Sequence, residues 1–214
     1  MRYLKENRRL LCVLLTLPVF FLYLDGFFIS QVRAHEGGDG LIHLFLEAVD
    51  PIMDVASHGS TLIAAALVLY LAGRRLSGRY REAGRYLIIG FLTAGVAAQG
   101  LKHLIGKARP RLTEGFVVIG PSFRSGYDSF PSGHTTVAFC FAYILSEYFP
   151  RYRVLFYLFA AATAFERVED ASHFPSDVIA GALLGLLVAR LLLAYLKDRG
   201  QPAPQRQAPP LPGP

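Results

Sequence analysis

Six stretches of this chain are so apolar, and separated by such short polar connections, that a lipid bilayer is the natural place to bury them. They run roughly over 10–30, 51–73, 86–105, 134–149, 154–168 and 177–196. A spanning helix needs about 20 mostly apolar residues, or somewhat fewer when flanking polar groups snorkel to the interface. The fourth and fifth stretches are short, and each alone reads equally as a buried helix of a soluble protein; four longer neighbours carry the membrane reading. With 53% hydrophobic and 18% charged residues in 214, disorder, collagen-like repeats and long coiled coils are excluded. The expected fold class is all-α, a polytopic membrane helical bundle of six transmembrane helices.

Cytoplasmic loops are enriched in Lys and Arg, so the connections test an alternating path. Arg2, Lys5, Arg8 and Arg9 precede the first span; Arg74, Arg75, Arg79, Arg81 and Arg85 follow the second; Arg151 and Arg153 follow the fourth; Arg190, Lys197, Arg199 and Arg206 lie at the C-terminal end. These fifteen of the 22 cations fall on one side, assigned to the cytoplasm together with both termini. The segment 31–50 holds Arg33 against Glu36, Asp39, Glu47 and Asp50, as an external loop would. Lys102, Lys107, Arg109, Arg111, Arg124 and Arg167 break the rule at the outer ends of helices. The formal charge of +6 therefore does not signal nucleic acid, because the basic residues never form one stripe.

Other features have two readings. A basic start and the apolar run from Leu10 to Leu24, ahead of Ala34, fit a signal peptide; continuation through Phe27, Phe28 and Ile29 fits a retained anchor. His43, Glu47, Asp50, Asp54 and His58 recur at helical spacing and would make a metal stripe on one helix. Pro51 breaks that helix, and Asp50-Pro51 reads instead as an N-cap and first helical residue after a short interfacial helix over 40–48. Cys12 and Cys140 sit in apolar runs and read as reduced thiols. Gly90, Ala94, Ala98, Gly181 and Gly185 are spaced for close helix contacts. Residues 1–197 form the expected membrane domain, and 198–214 a Pro-rich, disordered cytoplasmic tail.

Three clusters at the outer helix ends carry chemistry. Lys102 and Arg109 are seven residues apart and share a face if the third helix persists that far; Pro110 then ends it. Pro131-Ser132-Gly133-His134 opens the fourth span, where unpaired N–H groups and the Ser132 hydroxyl offer donors to an anion. Arg167, His173 and Asp177 form the third, with a carboxylate placed to orient one imidazole nitrogen and raise the basicity of the other. Each cluster alone has a bland reading, as snorkelling cations, a plain helix start or a capping pair. Together they supply three cations, backbone donors and two histidines on one membrane face, which is what a tetrahedral phosphate requires.

The order Lys102-x6-Arg109-Pro110, Pro131-Ser132-Gly133-His134 and Arg167-x5-His173-x3-Asp177 resembles the three signature motifs of the type 2 phosphatidic acid phosphatase (PAP2) superfamily, in its integral-membrane lipid phosphatase branch. That site is shared with bacterial acid phosphatases and vanadium haloperoxidases. One departure stands out: Glu166 precedes Arg167 where the family's third motif has Ser, which puts the grip of Arg167 in question. The resemblance implies a PAP2/haloperoxidase-like core and metal-independent hydrolysis of a lipid phosphate or diphosphate, with no cofactor. It implies that His173 attacks phosphorus to give a phosphohistidine, that Asp177 orients it, and that His134 protonates the leaving group. Lys102, Arg109, Ser132, Gly133 and Arg167 would hold the phosphoryl oxygens. The expected location is a bacterial inner membrane with the site outside. Polyprenyl diphosphate, phosphatidic acid, phosphatidylglycerol phosphate and a lipid A phosphate all remain open as substrates. Transfer of the phosphoryl group to a lipid or glycan acceptor, with the loop from Arg111 to Phe130 as acceptor site, and a non-catalytic phospholipid-binding role are the alternatives.

Overall fold

A computed structural model describes residues 8–35, 58–113 and 115–200, and among these the regular elements are helical. Seven α-helices follow in order: α1 Arg8–Leu22, α2 Asp25–His35, α3 Gly59–Gly73, α4 Gly78–Ile105, α5 Gly133–Tyr148, α6 Arg153–Glu169 and α7 Pro175–Gly200. A single 3-10 turn, Pro150–Tyr152, joins α5 to α6. The all-α expectation is met. The stripe from His43 to Asp54, the helix expected over 40–48 and residues 201–214 of the expected tail lie outside the described residues, while 198–200, expected in that disordered tail, continue α7 to Gly200.

α5 is the axis of the bundle and packs on α4, α6 and α7. Its apolar side, with Cys140, Ile144 and Leu145, meets Leu87, Phe91 and Ala94 of α4 and Ala189 and Leu193 of α7. Small residues set the spacing, as their sequence pattern suggests. A Cβ on Gly181 would come 2.6 Å from the Ser132 carbonyl oxygen, and one on Gly185 2.2 Å from that of Thr136. α7 therefore lies backbone against backbone on the first turns of α5, which fixes Asp177 relative to Pro131–His134. Cys12 is exposed and Cys140 buried, both as free thiols.

Large apolar side chains face outward around the bundle, among them Phe20, Phe27, Val68, Val96, Leu158 and Phe165. By length and composition α4 and residues 175–196 of α7 are sufficient to cross a membrane, and a third span results if the bent pair α1–α2 counts as one. Among the described residues two or three spans thus pass by length and composition, and the expected count of six goes beyond them. α3, α5 and α6 have 15, 16 and 17 residues, or about 22–26 Å of helix against a hydrocarbon core of about 30 Å. α4 is longer than expected because Arg79, Arg81, Glu82 and Arg85 continue it beyond the apolar stretch. The first span breaks by 54° between Leu22 and Asp25, and the Asp25 carboxylate at the break is buried.

Candidate active site

The chain leaves α4 at Gly106, whose left-handed φ of 64° caps the helix by donating its N–H to the Lys102 carbonyl. Only glycine fits, since a Cβ would stand 2.0 Å from the Gly120 carbonyl oxygen. The helix does not persist to Arg109, contrary to the sequence expectation, and Pro110 is not what ends it. Backbone hydrogen bonds from Ala108 to Val117, Arg109 to Gly126, Ile119 to Gly106 and Ser129 to Lys107 then fold the 106–129 connection against the end of α4. That fold, not helical periodicity, brings Arg109 beside Lys102.

The two cations line a cavity of about 350 Å³ with Gly133, His134, Arg167 and His173. Six of the eight site residues expected from sequence thus meet in one space. Lys102 is buried, donates to the Asp128 carbonyl at 2.7 Å, and its Cε lies 3.8 Å from where a Gly133 Cβ would be. A phosphate there would meet both the ammonium and the N-terminus of α5. His134 stands edge-to-face with His58, ring centroids 6.0 Å apart, and His58 also lines the cavity. Among the described residues no three His, Cys, Asp or Glu side chains cluster to hold a metal.

Ser132 and Asp177 stand behind the cavity wall, both fully buried. The Ser132 hydroxyl accepts from Thr135 Oγ1 at 3.0 Å and does not line the cavity, so the structure does not place it on a phosphate oxygen. Its N–H instead donates to the Asp177 carbonyl at 3.0 Å, tying the second motif to the third. The Phe130–Pro131 peptide just before is cis.

α6 ends at Glu169, and the turn that follows passes through Ala171 at φ 51°, a left-handed conformation unusual for a residue with a Cβ. Asp170 stabilises the turn by accepting from the Ser172 N–H and hydroxyl, both at 2.8 Å. The reversal lets the His173 N–H reach the Arg167 carbonyl at 2.8 Å, placing the imidazole against the first turn of α7. His173 is 2% exposed, and this burial pushes its pKa below the ordinary imidazole value, with Asp177 opposing and Lys102 and Arg109 reinforcing the shift. His173 Nδ1 lies 3.8 Å from Asp177 Oδ2, a charge contact that must close to become a hydrogen bond. Arg167 pairs with Glu166 inside the protein, so the residue that departs from the family pattern touches the cation whose grip it was expected to affect.

Sequence reasoning missed Lys107, which is buried and bonds Asp25, Ser176 and Asp177. It also missed Ser129, which donates to Asp177 Oδ2 at 2.5 Å. Two signals pointed there: an aspartate in the middle of an apolar span, and a third cation between Lys102 and Arg109.

The PAP2 superfamily model matches residues 83–201, which include all three clusters. A lipid A 1-phosphatase of Rhizobium johnstonii is 41% identical over 105 residues, covering 48% of this chain and 43% of that protein. The aligned part spans less than half the length of the curated lipid A 1-phosphatases it matches. Two solved structures share the fold. The transmembrane PAP2-type phosphatidylglycerolphosphate phosphatase of Bacillus subtilis superposes with a TM-score of 0.68 at 21% identity, over 90% of this chain and 96% of that one. LpxE of Aquifex aeolicus gives 0.57 at 24% identity, over 78% and 94%.

Proposed function

The chain belongs to the PAP2 superfamily, and from that premise we propose that it hydrolyses the phosphate of a membrane lipid through a phosphohistidine on His173. The observation that carries the proposal is the convergence of Lys102, Arg109, Arg167, the Gly133 end of α5 and two histidines on one cavity. His173 Nε2 attacks phosphorus as the bond to the lipid oxygen breaks, and His134 supplies the proton that the departing alkoxide needs. Lys102, Arg109 and Arg167 meet the charge that builds on the phosphoryl oxygens. Asp177 stabilises the positive imidazole ring. Water then attacks the phosphohistidine, His134 takes its proton, and phosphate leaves. Ser132 supports this wall from behind through its bond to Asp177.

A lipid A-type phosphate comes first among the substrates, because the relative at 41% identity is a lipid A 1-phosphatase. Polyprenyl diphosphate, phosphatidic acid and phosphatidylglycerol phosphate follow. The arginine-rich start of α4 and the site at its other end support an external active site in a bacterial inner membrane, six crossings within 1–197 and both termini cytoplasmic. The test is phosphate release by the purified protein from each of the four lipids. Release from at least one, lost in His173→Ala, is the expected result; no release from any would overturn the proposal.

A further inference from the structure

A buried ion cluster connects the first span to His173. Lys107 is 1% exposed and donates to Asp25 Oδ2, Ser176 Oγ and Asp177 Oδ1, each at 2.8 Å. An ammonium has three donors, and all three are used. Phe174 lies under the charge, its ring centre 4.4 Å away. Asp25 also accepts from the Ser176 N–H at 2.9 Å and hydroxyl at 2.5 Å. Asp177 completes its own set with the Ser129 hydroxyl and the Phe174 N–H on Oδ2, the oxygen that faces His173.

Holding two helices together does not require this arrangement. Each buried charge carries a large desolvation cost, and apolar side chains of similar size fasten helices as well or better. The first span, moreover, breaks where Asp25 turns inward. What the ions supply is electrostatic. Two carboxylates and one ammonium sum to a single negative charge beside His173, and Lys107 sets how much of it the imidazole feels.

We propose that Lys107 and Asp25 are positioning residues for the hydrolysis described above: Lys107 fixes Asp177 and moderates its pull on the His173 proton, and Asp25 moderates Lys107. The inference rests on that functional reading. Besides Asp177 of α7, the charged and titratable groups facing His173 are Lys102 at the end of α4 and Arg109 of the connection, the Glu166–Arg167 pair at the end of α6, and His134 of α5, which lines the same cavity.

The two substitutions have opposite signs. Lys107→Met leaves Asp177 uncompensated, favours protonated His173, and should move the acid limb of the kcat/KM profile up by about half a pH unit. Asp25→Asn leaves the ammonium uncompensated and should move it down by a similar amount, while Lys107→Arg should keep it in place. The same shifts should appear in the His173 titration followed by NMR of histidine-labelled protein, the signal being assigned by its loss in His173→Gln. Rates or yields that fall with both limb and titration unmoved would show a merely structural cluster and overturn the inference. If Lys107→Met is not recovered folded, the nearly isosteric Asp25→Asn decides by itself. Wild-type protein inactive on every lipid would count against the functional reading alone, since the NMR titration still judges the cluster.

Discussion

Arg109 grips Asp128 through two parallel hydrogen bonds, Nε to Oδ1 at 2.9 Å and Nη2 to Oδ2 at 2.7 Å. The fork that would bind a phosphate therefore holds a carboxylate from the 106–129 connection. Those bonds hold the Asp128 carboxyl down to about 2, so it stays ionised across any practical assay and the pair does not create a pH limb there. Its contribution to stability is present above the ordinary aspartate range and is lost only as pH falls toward that value. A phosphate that takes the same fork displaces it. Asp128→Asn should lower the vanadate inhibition constant roughly fivefold, about 1 kcal/mol for a partly exposed pair. Weaker inhibition would mean that Asp128 orients Arg109 rather than competing for it.

Glu166 and Arg167 are buried together at the end of α6. A carboxylate paired to the guanidinium draws on charge otherwise available to the phosphoryl group. Glu166→Ser should reduce KM and tighten vanadate by roughly two- to tenfold with kcat little changed. Steady-state kinetics on the preferred lipid decide this; a higher KM would show that Glu166 presents Arg167 to the substrate.

Burial keeps His173 neutral to lower pH than a free imidazole. The nucleophile is then ready at neutral pH, and the acid limb of kcat/KM should lie below about 6.5. In the unfolded chain the same ring takes up its proton near 6.5, so below that value the unfolded state binds more protons and stability falls with pH. Melting curves in detergent at pH 7.5 and 5 should show a smaller pH-dependent loss for His173→Gln than for the wild type. An equal loss would place the sensitivity elsewhere.

Glycines on two helices should respond in opposite ways. Gly185→Ala puts a methyl against the Thr136 carbonyl, where backbone must move, and should cost about 1–3 kcal/mol. Gly100→Ala in α4 meets nothing within 4 Å and should stabilise by about 0.5–1 kcal/mol. Thermal melting of the two purified variants measures both; similar values would contradict the α5–α7 contact.

Six of the eight expected residues meet in the cavity, most of them because their motifs lie in the end turns of helices whose apolar stretches are plain in the sequence. Lys102, His134 and Arg167 needed nothing more than that. Arg109 reaches the site for a reason the spacing does not contain: Gly106 ends the helix and a folded connection returns the chain. Ser132 is withdrawn because its hydroxyl meets Thr135, a contact that depends on the local path of the chain. Lys107 was hidden by its residue type, since a lysine beside Lys102 and Arg109 reads as one more anchor until Asp25, 82 positions earlier, is brought to it. The number of crossings was least legible, because hydropathy marks apolar runs and not the lengths of the helices containing them.

The central claim is a covalent bond between His173 and phosphorus, and trapping that bond tests it most directly. Purified protein is mixed with a lipid it hydrolyses, radiolabelled at the phosphate, then quenched in alkali and run on a denaturing gel. The account predicts label on the wild-type chain that is lost on acid treatment and never appears on His173→Gln. Rapid turnover with no acid-labile label, or label of equal intensity on His173→Gln, would contradict it.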